Sequence, residues 1–204
     1  MQLPDPTFQQ LTPAELVFAE GCIRQVHNPT VRISYPELLQ RSHLPAIEAT
    51  LESKPKQPTH SGKSFAAHFV EVHVHPHTGE VRVVRVVSAL DTGRVLNHRT
   101  ALSQAYGAVV WGIGLALLEE AVLDHRLGRF VNHNLAEYHV PTNADMPDID
   151  VILLNQPDSY LTPTGAKGMG EIGLVGFTAA IANAVFHATG TRVRELPITA
   201  NKLL

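Results

Sequence analysis

The chain has 204 residues, is 44% hydrophobic and 17% charged, and carries a formal net charge of -3. That length allows one domain or two small lobes, and the balance excludes a disordered chain, a basic nucleic-acid surface and an acidic solvated tail. The single cysteine, Cys22, excludes an internal disulfide and any multi-cysteine zinc or iron–sulfur site, and it fits a reducing compartment.

Residues 1–6 (Met-Gln-Leu-Pro-Asp-Pro) have neither the basic start nor the apolar core of a signal peptide. Residues 1–60 read as a loosely structured segment continuing from a missing upstream part. Within it, Leu16-Val17-Phe18 and Ile23-Arg24-Gln25-Val26 flank Glu20-Gly21 and predict a small hairpin. Ser34-Tyr35-Pro36-Glu37 predicts a short helix running to about Arg41. Residues 52–64 hold two prolines, lysines, serines and a glycine, the composition of a linker. Residues 61–204 read as the folded domain.

From Phe69 to Leu90, Val70, Val72 and Val74 alternate with Glu71, His73 and His75. The turn Pro76-His77-Thr78-Gly79 follows, and then Val81-Arg82-Val83-Val84-Arg85-Val86-Val87. Alternation on both sides of a turn predicts a β-hairpin with one buried face. Asn97 can cap a helix from about His98 to Val122, apolar enough to be buried on most sides. Its most apolar run, Ala105 to Leu118, is too short for a bilayer and ends in Glu119-Glu120, so no membrane span is expected. Gly107, Gly112 and Gly114 each cost a helix about 1 kcal/mol relative to Ala, which implies close approach of another backbone or a ligand.

Asp150 to Leu154 predicts a strand, and Asn155 to Gly170 a loop. A second long helix is expected from about Val175 to Thr189, closed by Gly190, and the apolar tail Val193–Leu204 should dock on the body. Strands and helices without a βαβ rhythm give an α+β fold: a mixed sheet with a β-hairpin and two long buried helices.

The sharpest local feature is Gly165-Ala166-Lys167-Gly168-Met169-Gly170-Glu171-Ile172-Gly173. Its glycines free the backbone, and a helix just beyond can turn N–H groups toward an anion. Glu171 is then either a general base or a residue that merely suits a helix dipole. The loop is neither a P-loop nor a dinucleotide-binding turn, because no Gly-Lys-Ser/Thr or strand-borne G-x-G-x-x-G is present. Among the twelve histidines, His73, His75 and His77 allow a metal reading, against the plainer one of a solvated hairpin face.

Lys167-Gly168-Met169-Gly170-Glu171 resembles the Gly-Glu signature of the molybdenum hydroxylases, the xanthine dehydrogenase/aldehyde oxidoreductase family. In that family the glutamate lies beside the metal as a base. Ser103-Gln104-Ala105-Tyr106-Gly107, followed by Gly112-Ile113-Gly114 and Glu119-Glu120, resembles the family's second cofactor-contact segment, where a Gln three residues before a Gly meets the pterin. Relatives carry Gln where this chain has Trp111, which is read here as a helix-packing residue. Asp91-Thr92-Gly93-Arg94, Asn134-Leu135-Ala136-Glu137-Tyr138 and Pro141-Thr142-Asn143-Ala144-Asp145 also look like family segments. The likeness is good over residues 60–204 and loose before that.

The resemblance implies the second molybdopterin-binding domain, in the C-terminal portion of the large subunit. Glu171 would be catalytic, and Gln104, Gly107, Lys167, Gly168 and Gly170 would contact the cofactor, a molybdenum-molybdopterin expected in its cytosine dinucleotide form. Iron–sulfur clusters and FAD would sit only on partner subunits. Further expected partners are the N-terminal molybdenum-binding part and a small-molecule substrate, an aldehyde or N-heterocycle. The expected location is cytoplasmic, or periplasmic with an exported partner. The chain alone should be inactive. The alternative is a truncated remnant or an interaction module without chemistry.

Overall fold

The computed structural model describes residues 8, 11–50, 52 and 60–204. Most of the expected linker, residues 52–64, lies outside the described residues. The chain divides into two compact units, Met1–Pro55 and Lys56–Leu204.

In the first unit, β1 (Leu16–Ala19) and β2 (Cys22–Gln25) form the expected hairpin, and β3 (Arg32–Ser34) extends it into an antiparallel sheet ordered β1-β2-β3. Helix α1 (Tyr35–Arg41) starts where its sequence predicts, with the Ser34 hydroxyl accepting from the Glu37 N–H and Pro36 in the first turn. Phe8, Ile23, Ile33 and Leu38 form its buried cluster.

The second unit is built on the long hairpin β4 (Phe65–Val74) and β5 (Val81–Asp91). A bulge opposite Glu71 and Val72 leaves Val84 without a partner, so the inward phase of β5 shifts from Val83 to Val86. This shift explains how a near-continuous valine run still presents one buried face. The strand β8 (Asp148–Leu153) pairs parallel to β5, giving a mixed sheet ordered β4-β5-β8. A two-residue pair, β6 (Leu123–Asp124) and β7 (Arg129–Phe130), stands apart from it.

Helices α2 (His98–Ile113) and α3 (Phe177–Thr189) bring Val109, Ile113, Phe177, Ile181 and Val185 into one core with Val83 and Val86 of the sheet. Asn97 caps α2, its Oδ1 accepting from the N–H groups of Arg99 and Thr100 at 3.1 and 3.2 Å. Gly190, with φ +75°, closes α3. The tail docks as expected: Ile198 is buried, and its N–H donates to the Ala116 carbonyl at 2.7 Å.

Three expectations for α2 need correction. It continues only through a π-turn, Gly114–Leu118, rather than to Val122, because the Glu119 N–H closes the last turn on Gly114 and the chain leaves extended. With that turn the helical stretch His98–Leu118 is 21 residues, long and apolar enough to cross a membrane by length and composition. Here it packs instead through Ala101, Ala105, Ala108, Val109, Gly112 and Ile113. The helix is not buried on most sides: Trp111 is 51% exposed, on the same open face as Gln104 and Gly107, and is no packing residue within this chain.

Candidate active site

The glycine-rich loop is stitched to the end of β5. Gly93 and Ala166 form a β-bridge, the Lys167 N–H donates to the Thr92 carbonyl at 2.8 Å, and the Arg94 N–H donates to the Gly165 carbonyl at 2.8 Å. Gly93 must be glycine on two counts. Its φ is +70°, and a Cβ there would lie 2.3 Å from the Gly165 oxygen.

Side chains complete the attachment. The Gln104 Nε2, from α2, donates to the Gly170 carbonyl, and the Ser64 hydroxyl donates to the Gly168 carbonyl. The Lys167 ammonium lies 2.8 Å from Asp91 Oδ2, with the lysine side chain only 7% exposed. That hydrogen bond holds the Asp91 carboxyl below the usual carboxylate range, helped by the Gly93 N–H. Gln104, Lys167 and Gly170 thus line one cavity of about 360 Å³, together with Asn97, Leu96 and Met169.

Glu171 lies at the far end of this loop, on the surface. Its backbone carbonyl accepts from the N–H groups of Leu174 and Val175 at 2.9 and 3.1 Å, fixing the turn that leads to α3. Its carboxylate accepts no hydrogen bond from the described residues and is free for an external group. The first turn of α3 begins at Phe177, so Glu171 is not part of it, and the expected anion site at that helix start is partly closed. The N–H groups of Leu174, Val175 and Phe177 are all taken by the chain's own carbonyls.

A census of the glycines separates two kinds. Of fourteen, seven have positive φ: Gly21, Gly79, Gly93, Gly128, Gly165, Gly176 and Gly190. Four more would place a Cβ under 3.0 Å from other atoms: Gly62, Gly112, Gly114 and Gly173. The space beside Gly112 is filled by the Phe177 ring and that beside Gly114 by the Glu119 carboxylate, so the close approach comes from side chains and not from the backbone or ligand expected from their helical cost. The remaining three, Gly107, Gly168 and Gly170, have neither reason, since a Cβ at each would meet nothing within 4 Å. Nothing inside this chain demands glycine there, so the reason for bare backbone lies outside it.

Beneath the turn after Glu171, His68 of β4 packs edge-on against Phe177 with ring centroids 5.6 Å apart, and its Nδ1 lies 2.9 Å from the buried Ser88 hydroxyl. Burial pushes the His68 imidazole below its ordinary value, partly offset by the backbone of Val175 and Ile172. An unfolded histidine takes up its proton near pH 6.5 while the folded one resists. This contribution to stability is therefore present above about pH 6.5 and is lost as the pH falls through the folded value. Denaturation midpoints at pH 7.5 and 5.5 should accordingly diverge more for the parent chain than for His68→Gln; equal differences would remove His68 as the cause.

A larger cavity, about 620 Å³, runs between β4 and α3 past His68. It contains none of the residues expected to be catalytic or to meet the cofactor, whereas the smaller one gathers Gln104, Lys167 and Gly170 and is the better candidate. The hairpin histidines form no metal centre: among the described residues no cluster could hold an ion, and His75 Nδ1 instead accepts from the N–H groups of His77 and Thr78. Asp91 and Ser64 were missed by sequence reasoning. Asp91-Thr92-Gly93 could have signalled a docking point, but nothing local tied it to Lys167.

The family model for the molybdopterin cofactor-binding domain matches residues 6–147, so the likeness extends into the N-terminal segment. The aldehyde oxidoreductase molybdenum-binding subunit PaoC of Escherichia coli K12 is 47% identical over 192 residues, 94% of this chain and 26% of that protein. A match of that length cannot avoid the loop 165–173. The xanthine dehydrogenase molybdenum-binding subunit of Escherichia coli O157:H7 is 35% identical over 142 residues, covering 69% of this chain and 18% of that protein. Among solved structures, quinoline 2-oxidoreductase from Pseudomonas putida 86 superposes with a TM-score of 0.78 at 26% identity, covering 98% of this chain and 26% of that one. The chain spans about a quarter or less of the length of these relatives.

Proposed function

The chain belongs to the molybdopterin cofactor-binding domain family found in the molybdenum-binding subunits of aldehyde oxidoreductases and xanthine dehydrogenases, and from that premise we propose that it supplies the glutamate-bearing side of a molybdenum hydroxylase active site. The observation that carries this reading is the set of three glycines, Gly107, Gly168 and Gly170, whose bare backbone answers to no atom of the chain itself. They are the glycines that the resemblance assigns to the cofactor, and two of them, Gly168 and Gly170, flank Met169 just before Glu171. The residues present fit such a group: open backbone, a neighbouring cavity of about 360 Å³, and a side-chain amide from α2 at its wall.

Gln104, Gly107, Gly168 and Gly170 would hold the pterin and its phosphates, with Lys167 in the cavity wall. When bound, the molybdenum centre supplies the redox chemistry, oxidising an aldehyde or N-heterocycle with oxygen drawn from water. Glu171 would take up a proton on its carboxylate, which accepts no hydrogen bond from the described residues. The clamped loop fixes the backbone that carries Glu171, so that base and substrate would meet in register. Iron–sulfur clusters on a partner would take the electrons, since this chain's one cysteine cannot hold a cluster.

This reading has the chain working with polypeptide that corresponds to the rest of the larger subunit, with an iron–sulfur subunit and with an FAD subunit. We place that assembly in the cytoplasm and its cofactor in the cytosine dinucleotide form. The test is metal and pterin analysis of the chain purified with its partners. About one molybdenum per assembly is expected, and Gly170→Leu should lose most of it while leaving the melting temperature of the chain unchanged, because a Cβ at that position would meet nothing within 4 Å. No molybdenum and no partner in the parent preparation would leave a non-catalytic remnant.

A further inference from the structure

We infer that Asp91 is a positioning residue, which latches the Glu171-bearing loop to the sheet by neutralising the Lys167 ammonium; Lys167 is then part of this latch rather than a contact to cofactor phosphate. The inference rests on the proposed function only for what the loop is positioned to do. The latch itself is a property of this chain.

Asp91 closes β5, the central strand of the mixed sheet, while Lys167 lies 76 residues later in a loop with little regular structure of its own. Their contact is 2.8 Å, and the lysine side chain is 7% exposed. Its ammonium sits 5.7 Å from the centroid of the Phe65 ring, so its remaining surroundings are partly apolar. A charge so enclosed already has its countercharge in Asp91, and its loss would leave the ammonium buried without one. The neighbouring tethers act on the backbone: the Lys167 N–H donates to the Thr92 carbonyl and the Arg94 N–H to the loop's Gly165 carbonyl on one side, and Ser64 and Gln104 hold the Gly168 and Gly170 carbonyls from the other. Asp91–Lys167 is the ion pair among these, and the one whose loss strands a buried charge.

Replacing Asp91 by Asn keeps the shape and an acceptor for the Gly93 N–H but removes the countercharge. The loop must then open to hydrate Lys167. Removing both charges leaves nothing to hydrate, so the double variant should do better than the single one.

Hydrogen exchange of the full 204-residue chain, read by mass spectrometry on peptides covering 165–173, tests this directly. Asp91→Asn should speed exchange there by tenfold or more while peptides from β4, α2 and α3 keep their rates. Asp91→Asn with Lys167→Met should recover most of the protection, and Asp91→Glu, which keeps the charge, should recover part of it. Uniform acceleration across the chain, additive effects of the two substitutions, or unchanged loop exchange would each overturn the latch. In the assembled enzyme, Asp91→Asn should lower kcat with little change in KM. A gain in cofactor retention would overturn the assignment, since freeing the ammonium would then have helped a phosphate. Because exchange is measured on the chain alone, a failed latch and a molybdenum-free parent preparation are separate results.

Discussion

Assembled with cofactor and partners, the Glu171→Gln variant is expected to lose turnover by about 100- to 10,000-fold while keeping its molybdenum. The two side chains have the same shape, but the amide cannot take up a proton. The substitution should cost the loop nothing, because the Glu171 carboxylate accepts no hydrogen bond from the described residues. The loop is held instead through Lys167, Gly168 and Gly170. The turn toward α3 uses the backbone carbonyl of residue 171, which glutamine retains. Steady-state turnover and metal analysis on the same preparation check the point. Activity within tenfold of the parent would remove Glu171 from the role of base. A parallel loss of metal would recast it as a binding residue.

Phe177→Ala is expected to cost about 3–5 kcal/mol of stability, the range for emptying an aromatic core site. Phe177 is fully buried at the start of α3, where the sheet and both helices meet. Its ring occupies the space that a side chain at position 112 would need: a Cβ on Gly112 would sit 2.3 Å from Phe177 Cδ1. Glycine in α2 and phenylalanine in α3 are therefore one packing decision. The ring also packs edge-on against His68, so its removal would take away one wall of the imidazole's surroundings. Denaturant titration should show the midpoint falling with little change in slope. The coupling can be checked separately. Gly112→Ala should destabilise the parent chain through that clash, yet recover part of the loss in Phe177→Ala by refilling the space and favouring the helix. A cost below about 1 kcal/mol for Phe177→Ala would mean the site collapses freely.

Much of the fold is legible in the sequence because its strongest elements are local. The alternation of Val70, Val72 and Val74, the Pro76–Gly79 turn, the Asn97 cap and the Gly190 stop each act within a few residues of the element they shape. The parallel pairing of β8 with β5 is not legible in this way. It joins Arg85 to Asp148, and no periodicity in either segment specifies the other. The end of α2 was misplaced because apolar composition runs on to Val122, whereas the chain stops at a π-turn and ties Val122 to the Asn132 side chain. Trp111 looked like a core residue by type, and only the placement of its neighbours shows it on the open face.

The candidate site divides along the same line. Glu171 and its glycines stand out as a contiguous motif, and Gln104 as part of another. That they share a cavity wall is a tertiary fact, carried by the Gln104 amide reaching the Gly170 carbonyl. Asp91 could be read as the end of a strand but not as the partner of Lys167. The three glycines could be counted, but only placement distinguishes them from the eleven that the chain needs for itself.

That distinction bears on descent as well as on chemistry. A glycine fixed by its own fold is retained by any copy of the gene that still folds, whether or not the product is used. Gly107, Gly168 and Gly170 carry no such protection: a Cβ at each would meet nothing within 4 Å, so alanine there would meet no steric penalty in the chain alone. Released from its task, a copy would lose these glycines before the others. All three stand near Glu171, on a surface that the chain does not itself cover.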